Sequence, residues 1–244
     1  TMSMVLIVAL RNLVHDRTRL AATLVGIVFS VVLVGVQLGL YIGASRMITG
    51  AIDHAKADLW VMPVHTESLE DGLPLLGHDD RSRALGLPGV AAAQPLLVHF
   101  ADWQRPDGAQ AHVIVIGSDP DEDALRPWNV VEGRWDGHVL ARSVVVDKTY
   151  LDDLGVQGIG DKAVIEGLSA RIVALTDGIR SFSQSPLVFT TLTQARSYVQ
   201  AAGDSTTYLL IRLKPGADAA QTSSALVKAL DNVEVLTPDQ FRDR

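Results

Sequence analysis

Two stretches carry residue types that could do chemistry. Gly155-Val-Gln-Gly-Ile-Gly-Asp161 is glycine-rich enough to cradle a phosphate, and Asp119-Pro-Asp-Glu-Asp123 is acidic enough to hold calcium. Neither has the spacing its chemistry needs. Dinucleotide binding uses G-x-G-x-x-G and a P-loop uses G-x-x-x-x-G-K-[ST]; the first stretch fits a strand-end turn instead. A calcium loop wants glycine sixth and glutamate twelfth, where this chain has Ala124 and Val130. The second stretch therefore reads as a solvated acidic turn. No serine sits in a G-x-S-x-G elbow. The seven histidines, at 15, 54, 65, 78, 99, 112 and 138, include no H-x-x-x-H pair, and there is no cysteine. The sequence thus offers no catalytic residue, cofactor site or metal site, and points away from an enzyme.

The spacing that stands out suits packing. In "GVQLGLYIG" glycine recurs at every fourth position, Gly35, Gly39 and Gly43, with Gln37 among them. The surrounding run from Leu20 to Ser45 is 26 residues without a charge. As a helix it reaches ~39 Å against a hydrocarbon core of ~30 Å. A retained transmembrane helix over 20–45 is expected, because a cleaved signal peptide has an apolar region of only roughly 7–15 residues. Lipid tails are as apolar as leucine, so helices in a membrane associate through close backbone approach and interhelical hydrogen bonds. The three glycines form a stripe that permits such approach. Gln37 lies about 200° around the helix from Gly35, with Thr23, Ser30 and Tyr41 on its side, and an amide facing acyl chains is costly. Gly35, Gly39, Gly43 and Gln37 are the candidate membrane-packing residues. Their partners are expected on other chains, or on a carboxyl-terminal part beyond this sequence.

The flanks suggest an orientation. Residues 1–19 carry Arg11, Arg17 and Arg19 against Asp16, a net of +2, in a chain whose overall net charge is −7. Arginines beside the helix start favour the cytoplasm for the amino terminus, and the acidic remainder argues against nucleic acid. Leu6, Leu10, Leu13 and Val14 oppose Arg11, Asn12, His15 and Asp16. That stripe predicts an interfacial helix over 1–19, or a cytoplasmic extension of the spanning helix. A helical stalk over 46–56 follows.

Beyond it the pattern is α+β. "ADLWVMP" reads as a strand, 65–79 as a loop and "DDRSRALGLPGV" as a short helix. "PLLVHFADWQ" and "AQAHVIVIG" flank "RPDG", a hairpin turn. A polar connector over 118–137 leads to "RSVVVDKTYLDDLGV", a buried strand into a helix. "DKAVIEGLSARIVAL" is a second hairpin, turning at Gly167, and a helix starts near Thr193. The end is strand–helix–strand, with Ala219, Ser223, Leu226, Val227 and Leu230 on one helix face. Trp60, Trp103, Trp128 and Trp135 fit either a contact surface or, each singly, core packing and strand faces, the latter being the simpler reading. The two strand–helix–strand units predict a discontinuous α+β lobe of residues 57–117 and 204–244, with a β-rich lobe of 118–203 inserted.

In this order, "ALRNLVHDRTRLAATLVGIVFSV", one span, an outside domain opening on "ADLWV", then "VVEGRW", "SVVVDKTYLDDLGV", "IGDKAVIEG", "ARIVAL" and "SPLVFTTLTQARSYV" resemble the permease subunits of MacB/FtsX-type ABC transporters, the DevC-like branch above all. The resemblance implies a two-lobed outside domain and a homodimer in a bacterial inner membrane. It also implies a separate cytoplasmic ATPase, with a periplasmic adaptor and an outer-membrane duct receiving what is exported. Three further spans are expected after "TPDQFRDR", so the sequence reads as truncated relative to the family. The competing readings are a single-pass anchored binding or adaptor module and a membrane-tethered enzyme.

Overall fold

The computed structural model describes residues 17–244 apart from positions 71, 74, 120–123, 136–141, 182 and 202, with main chain alone at 42 and 44–49. The interfacial helix expected over 1–19 thus lies outside the described residues up to position 16, as does most of Asp119–Asp123. The chain forms two compact units, residues 1–46 and 47–244. Helix α1 (Arg17–His54) begins in the first and ends in the second. Its stretch Arg17–Tyr41 is long and apolar enough to cross a membrane.

The second unit opens with β1 (Leu59–Pro63), α2 (His78–Leu85) and β2 (Val90–Gln104). Its middle holds β3 (Gln110–Ser118), β4 (Val130–Gly133), β5 (Ser143–Asp147), α3 (Leu151–Leu154), β6 (Lys162–Ile165), β7 (Leu168–Thr176), β8 (Leu187–Thr191) and α4 (Leu192–Tyr198). It closes with β9 (Tyr208–Leu213), α5 (Ala219–Ala229), β10 (Val233–Leu236) and α6 (Pro238–Arg242).

Local chemistry sets these boundaries. Three helix starts are capped by side chains: Thr191 accepts from the Gln194 N–H, Asp218 from Gln221, and Thr237 from Gln240. Each satisfies a first-turn donor that has no intrahelical partner. Gly108 (φ 86°) closes the "RPDG" hairpin, and Glu166 (φ 48°) with Gly167 (φ 77°) closes the second one, both as expected.

The early and late strand–helix–strand units interleave as β10–β1–β9–β2, all antiparallel, the order of a split β-α-β sheet. The intervening strands add a ring, β2–β3–β8–β5–β7–β6, which closes where β6 pairs Trp103 and Gln104 of β2. The fold is α+β, two-lobed, with one lobe built from both ends of the domain.

Alternate residues feed different cores. Leu59 and Val61 face α2 and α5, whereas Trp60 and Met62 enter a central cluster with Leu96, Ile114, Phe189 and Tyr208. On β3, Ile114 and Ile116 join that central cluster while Val113 and Val115 join a third around Trp103 and Tyr198. Strands buried on both faces explain the unbroken apolar runs.

β2 is 15 residues long and serves both lobes. Its edge loses β9 at Leu96 and regains a strand at Trp103. Side chains bridge the gap. The buried Thr207 hydroxyl accepts from the Val98 N–H (3.1 Å) and donates to the Val98 carbonyl (3.0 Å). Glu166 exchanges bonds with the Asp102 backbone at 2.7 and 3.0 Å.

Three expectations need correction. The 118–137 connector contains β4, which adds to the edge of β7; its four exposed residues give no burial pattern from which a strand could be read. β2 starts at Val90, five residues early, because β9 supplies partners across Pro95. On α5, Val227 is 47% exposed and Thr222 is buried in its place. Thr222 bonds its hydroxyl to the Asp218 carbonyl (2.8 Å) and sits against Gly89, where an added Cβ would lie 2.4 Å from its oxygen.

Thr207→Val should therefore leave two buried backbone groups unpaired and cost about 2 kcal/mol in denaturant unfolding, with Thr207→Ser close to wild type. Tyr198, whose buried hydroxyl has no hydrogen-bond partner among the described residues, has its pKa pushed up to about 12 by burial. The native state then keeps a proton that the unfolded state loses near pH 10, so stability should fall as pH rises from 10 toward 12. Tyr198→Phe should flatten that alkaline limb and be neutral or stabilising at pH 7.

Candidate functional site

Gly35, Gly39 and Gly43 lie on one stripe of α1, and a Cβ built at any of them meets nothing within 4 Å. The polar side of the helix is narrower than expected. The Thr23 and Ser30 hydroxyls fold back onto the carbonyls of Arg19 (2.9 Å) and Gly26 (2.8 Å), which satisfies them within the helix. Among the described residues nothing hydrogen-bonds the exposed Gln37 amide, which makes it the group of the span most in need of a partner.

Ten residues beyond Tyr41, the same helix becomes part of the domain core. Ala51 and Ile52 are 4% and 3% exposed within the central cluster. His54 stacks on Trp128 with ring centres 4.3 Å apart and planes at 9°. Asp53 pairs with Arg242 of α6 at 2.5 Å. Trp60 and Trp103 are fully buried, whereas Trp128 is a clamp on this last turn as well as a core residue.

Beside that turn lies a hollow of about 190 Å³. Its walls are Ile52, then Val98, Ile114 and Ile116 from β2 and β3, Leu187, and Phe241 of α6. Its roof is Ser68–Leu69, and its rim carries Glu67, Glu70, Arg180 and Arg244.

The 65–79 segment, expected to be a loop, is largely one over its described residues, and Leu69 anchors it over the hollow. Leu69 is buried in the central cluster. The Tyr208 hydroxyl donates to the Leu69 carbonyl (2.9 Å), and Gly72 packs so tightly that a Cβ would lie 2.2 Å from Thr207 and 2.5 Å from the Tyr208 oxygen. The opposite rim hangs on Asp147, 1% exposed, which accepts from the Ile179 N–H (2.7 Å), the Thr176 hydroxyl (3.0 Å) and Thr149. The signal for this role in the sequence was a lone acid ending an apolar strand, "SVVVD". Both sides of the hollow are thus held by buried hydrogen bonds.

The chemistry-bearing residues of the sequence do not converge here. Gly155–Asp161 is a turn in which the Asp161 carboxylate accepts from the Gln157 N–H (2.7 Å). His112 pairs across strands with Asp102 (2.7 Å). Among the described residues no three His, Asp, Glu or Cys side chains could hold a metal ion together.

Residues 20–229 match the family model of the MacB-like periplasmic core domain. A search of curated proteins finds no match. Two solved structures share the fold. One is the periplasmic region of MacB from Actinobacillus actinomycetemcomitans, with 9% identity, a TM-score of 0.56, and coverage of 79% of this chain and 94% of that one. The other is the extracellular domain of the noncanonic ABC-type transporter YknZ from Gram-positive bacteria, with 11% identity, a TM-score of 0.53, and coverage of 74% and 99%.

Gly72→Ala is expected to lift the roof and break the Tyr208–Leu69 hydrogen bond. The expected cost is about 2–3 kcal/mol in thermal or denaturant unfolding, with Gly77→Ala, where only the flexible Asp80 carboxylate comes within 4 Å, near neutral.

Proposed function

The chain belongs to the family of MacB-like periplasmic core domains, and from that membership we propose that it is the membrane-spanning permease subunit of an ABC-type exporter, or the amino-terminal part of one. ATP hydrolysis is done by a separate cytoplasmic subunit. The amino terminus lies inside a bacterial inner membrane and the domain outside. Two copies pair, and a periplasmic adaptor with an outer-membrane duct can receive the cargo.

The observation that carries the reading is the course of α1. A single helix contains the apolar span, and its last turn is built into the domain core through Ala51, Ile52, the His54–Trp128 stack and the Asp53–Arg242 pair. A packed core transmits displacement rather than absorbing it, so motion imposed on that helix turn is passed to the strands it packs against. The exposed stripe of Gly35, Gly39 and Gly43, with Gln37 on the other side, supports a helix that seeks neighbours on both faces.

Purified from its native membrane in mild detergent, the chain is expected to bring an ATP-hydrolysing subunit with it. Recovery of folded chain with no such subunit would favour a single-pass binding or adaptor protein. Gly39→Leu should cut the recovered partner at least tenfold while leaving the thermal transition of the domain unchanged.

A further inference from the structure

We propose that the hollow beside the last turn of α1 holds the aliphatic tail of a single-chain zwitterionic amphiphile, with its head at the rim. The tail is indicated by the walls. Ile52, Val98, Ile116, Leu187 and Phe241 present only hydrocarbon, and burying an aliphatic chain against them removes apolar surface from water. The roof and the Asp147-held rim are fixed by hydrogen bonds, so the space is kept open for an occupant.

The head is indicated by the charges. Arg244 is already engaged, by Glu234 at 2.6 and 2.5 Å and by the Thr66 carbonyl. Glu67 adds to the negative field around Arg244, whereas Glu70 and Arg180 make no ion pair with one another or with other described residues. One carboxylate and one guanidinium, Glu70 and Arg180, stand at the mouth of an apolar hollow and match a head with both signs. A purely anionic or purely cationic head meets repulsion as well as attraction.

Binding at this site does not require an ATPase or a second copy, so the inference fails or stands apart from the transporter reading. All four tryptophans lie outside the apolar span, and Trp60 is 5.3 Å from the Phe241 ring that lines the hollow. The full chain in phosphatidylglycerol nanodiscs is titrated with dodecylphosphocholine brominated at the tail terminus, reading tryptophan quenching. Saturable quenching is expected. It should weaken at least tenfold in Ala51→Phe, which fills the hollow, with the thermal transition unchanged or raised; Val98→Phe replaces this variant if Ala51→Phe does not fold. Brominated dodecyl sulfate should bind wild type at least tenfold more weakly, and Arg180→Glu should weaken the phosphocholine probe at least threefold. Absence of saturable quenching, or equal quenching in wild type and the filled variant, overturns the site. Equal binding of sulfate and phosphocholine probes overturns the assignment of the head.

Discussion

The whole domain hangs on β2 belonging to two sheets at once. A strand that changes partners must leave some backbone groups facing no neighbour, and buried unpaired groups are costly. Thr207 and Glu166 resolve this by bonding the Val98 and Asp102 backbones as a missing strand would. The solution lets β9 turn away at Leu96 and β6 arrive at Trp103 with the Val98 and Asp102 backbones paired, leaving only the exposed Phe100 between them. The split β-α-β sheet and the ring of six strands can therefore share one continuous core layer, running from Trp60 through Leu96 and Ile114 to Phe189.

That shared layer explains where α1 ends and why a hollow exists beside it. The central cluster needs a cover on the side away from α2 and α5. Ala51 and Ile52 supply part of it, Phe241 of α6 another part, and the Leu69 roof a third. Three covers arriving from distant parts of the chain do not tile a twisted sheet surface perfectly. The gap they leave is held open because each is tied down independently, by His54 on Trp128, by Asp53 with Arg242, and by Tyr208 with Leu69. The Asp53–Arg242 pair ties the end of α1 directly to α6.

At 9–11% identity to two solved structures, what is shared with them is the fold. A fold of this kind is specified by two-faced apolar strands, turn residues with positive φ, and caps, all of which tolerate many identities. What such a likeness does not transmit is a ligand. The exposed face of α1 and the rim charges around the hollow are properties of this chain's own residues, and they are where its particular behaviour resides.

By itself, the sequence determined the local elements and their kind. The charge-free run from Leu20 to Ser45, the "RPDG" turn, the hairpin turning at Gly167, the helix start near Thr193 and the loose motifs in family order all act over a few residues, so they are legible without a partner. The four-residue spacing of Gly35, Gly39 and Gly43 was legible for the same reason. The tertiary structure alone decided what depends on residues far apart in the chain. It made β4 a strand because β7 offered an edge, put Thr222 rather than Val227 inside because Gly89 left room, and turned the polar 65–79 segment into a roof because Gly72 fits against Thr207 and Tyr208. Long-range packing has no periodic signature in the sequence, since each contact is chosen by the shape of its opposite number and not by its neighbours along the backbone.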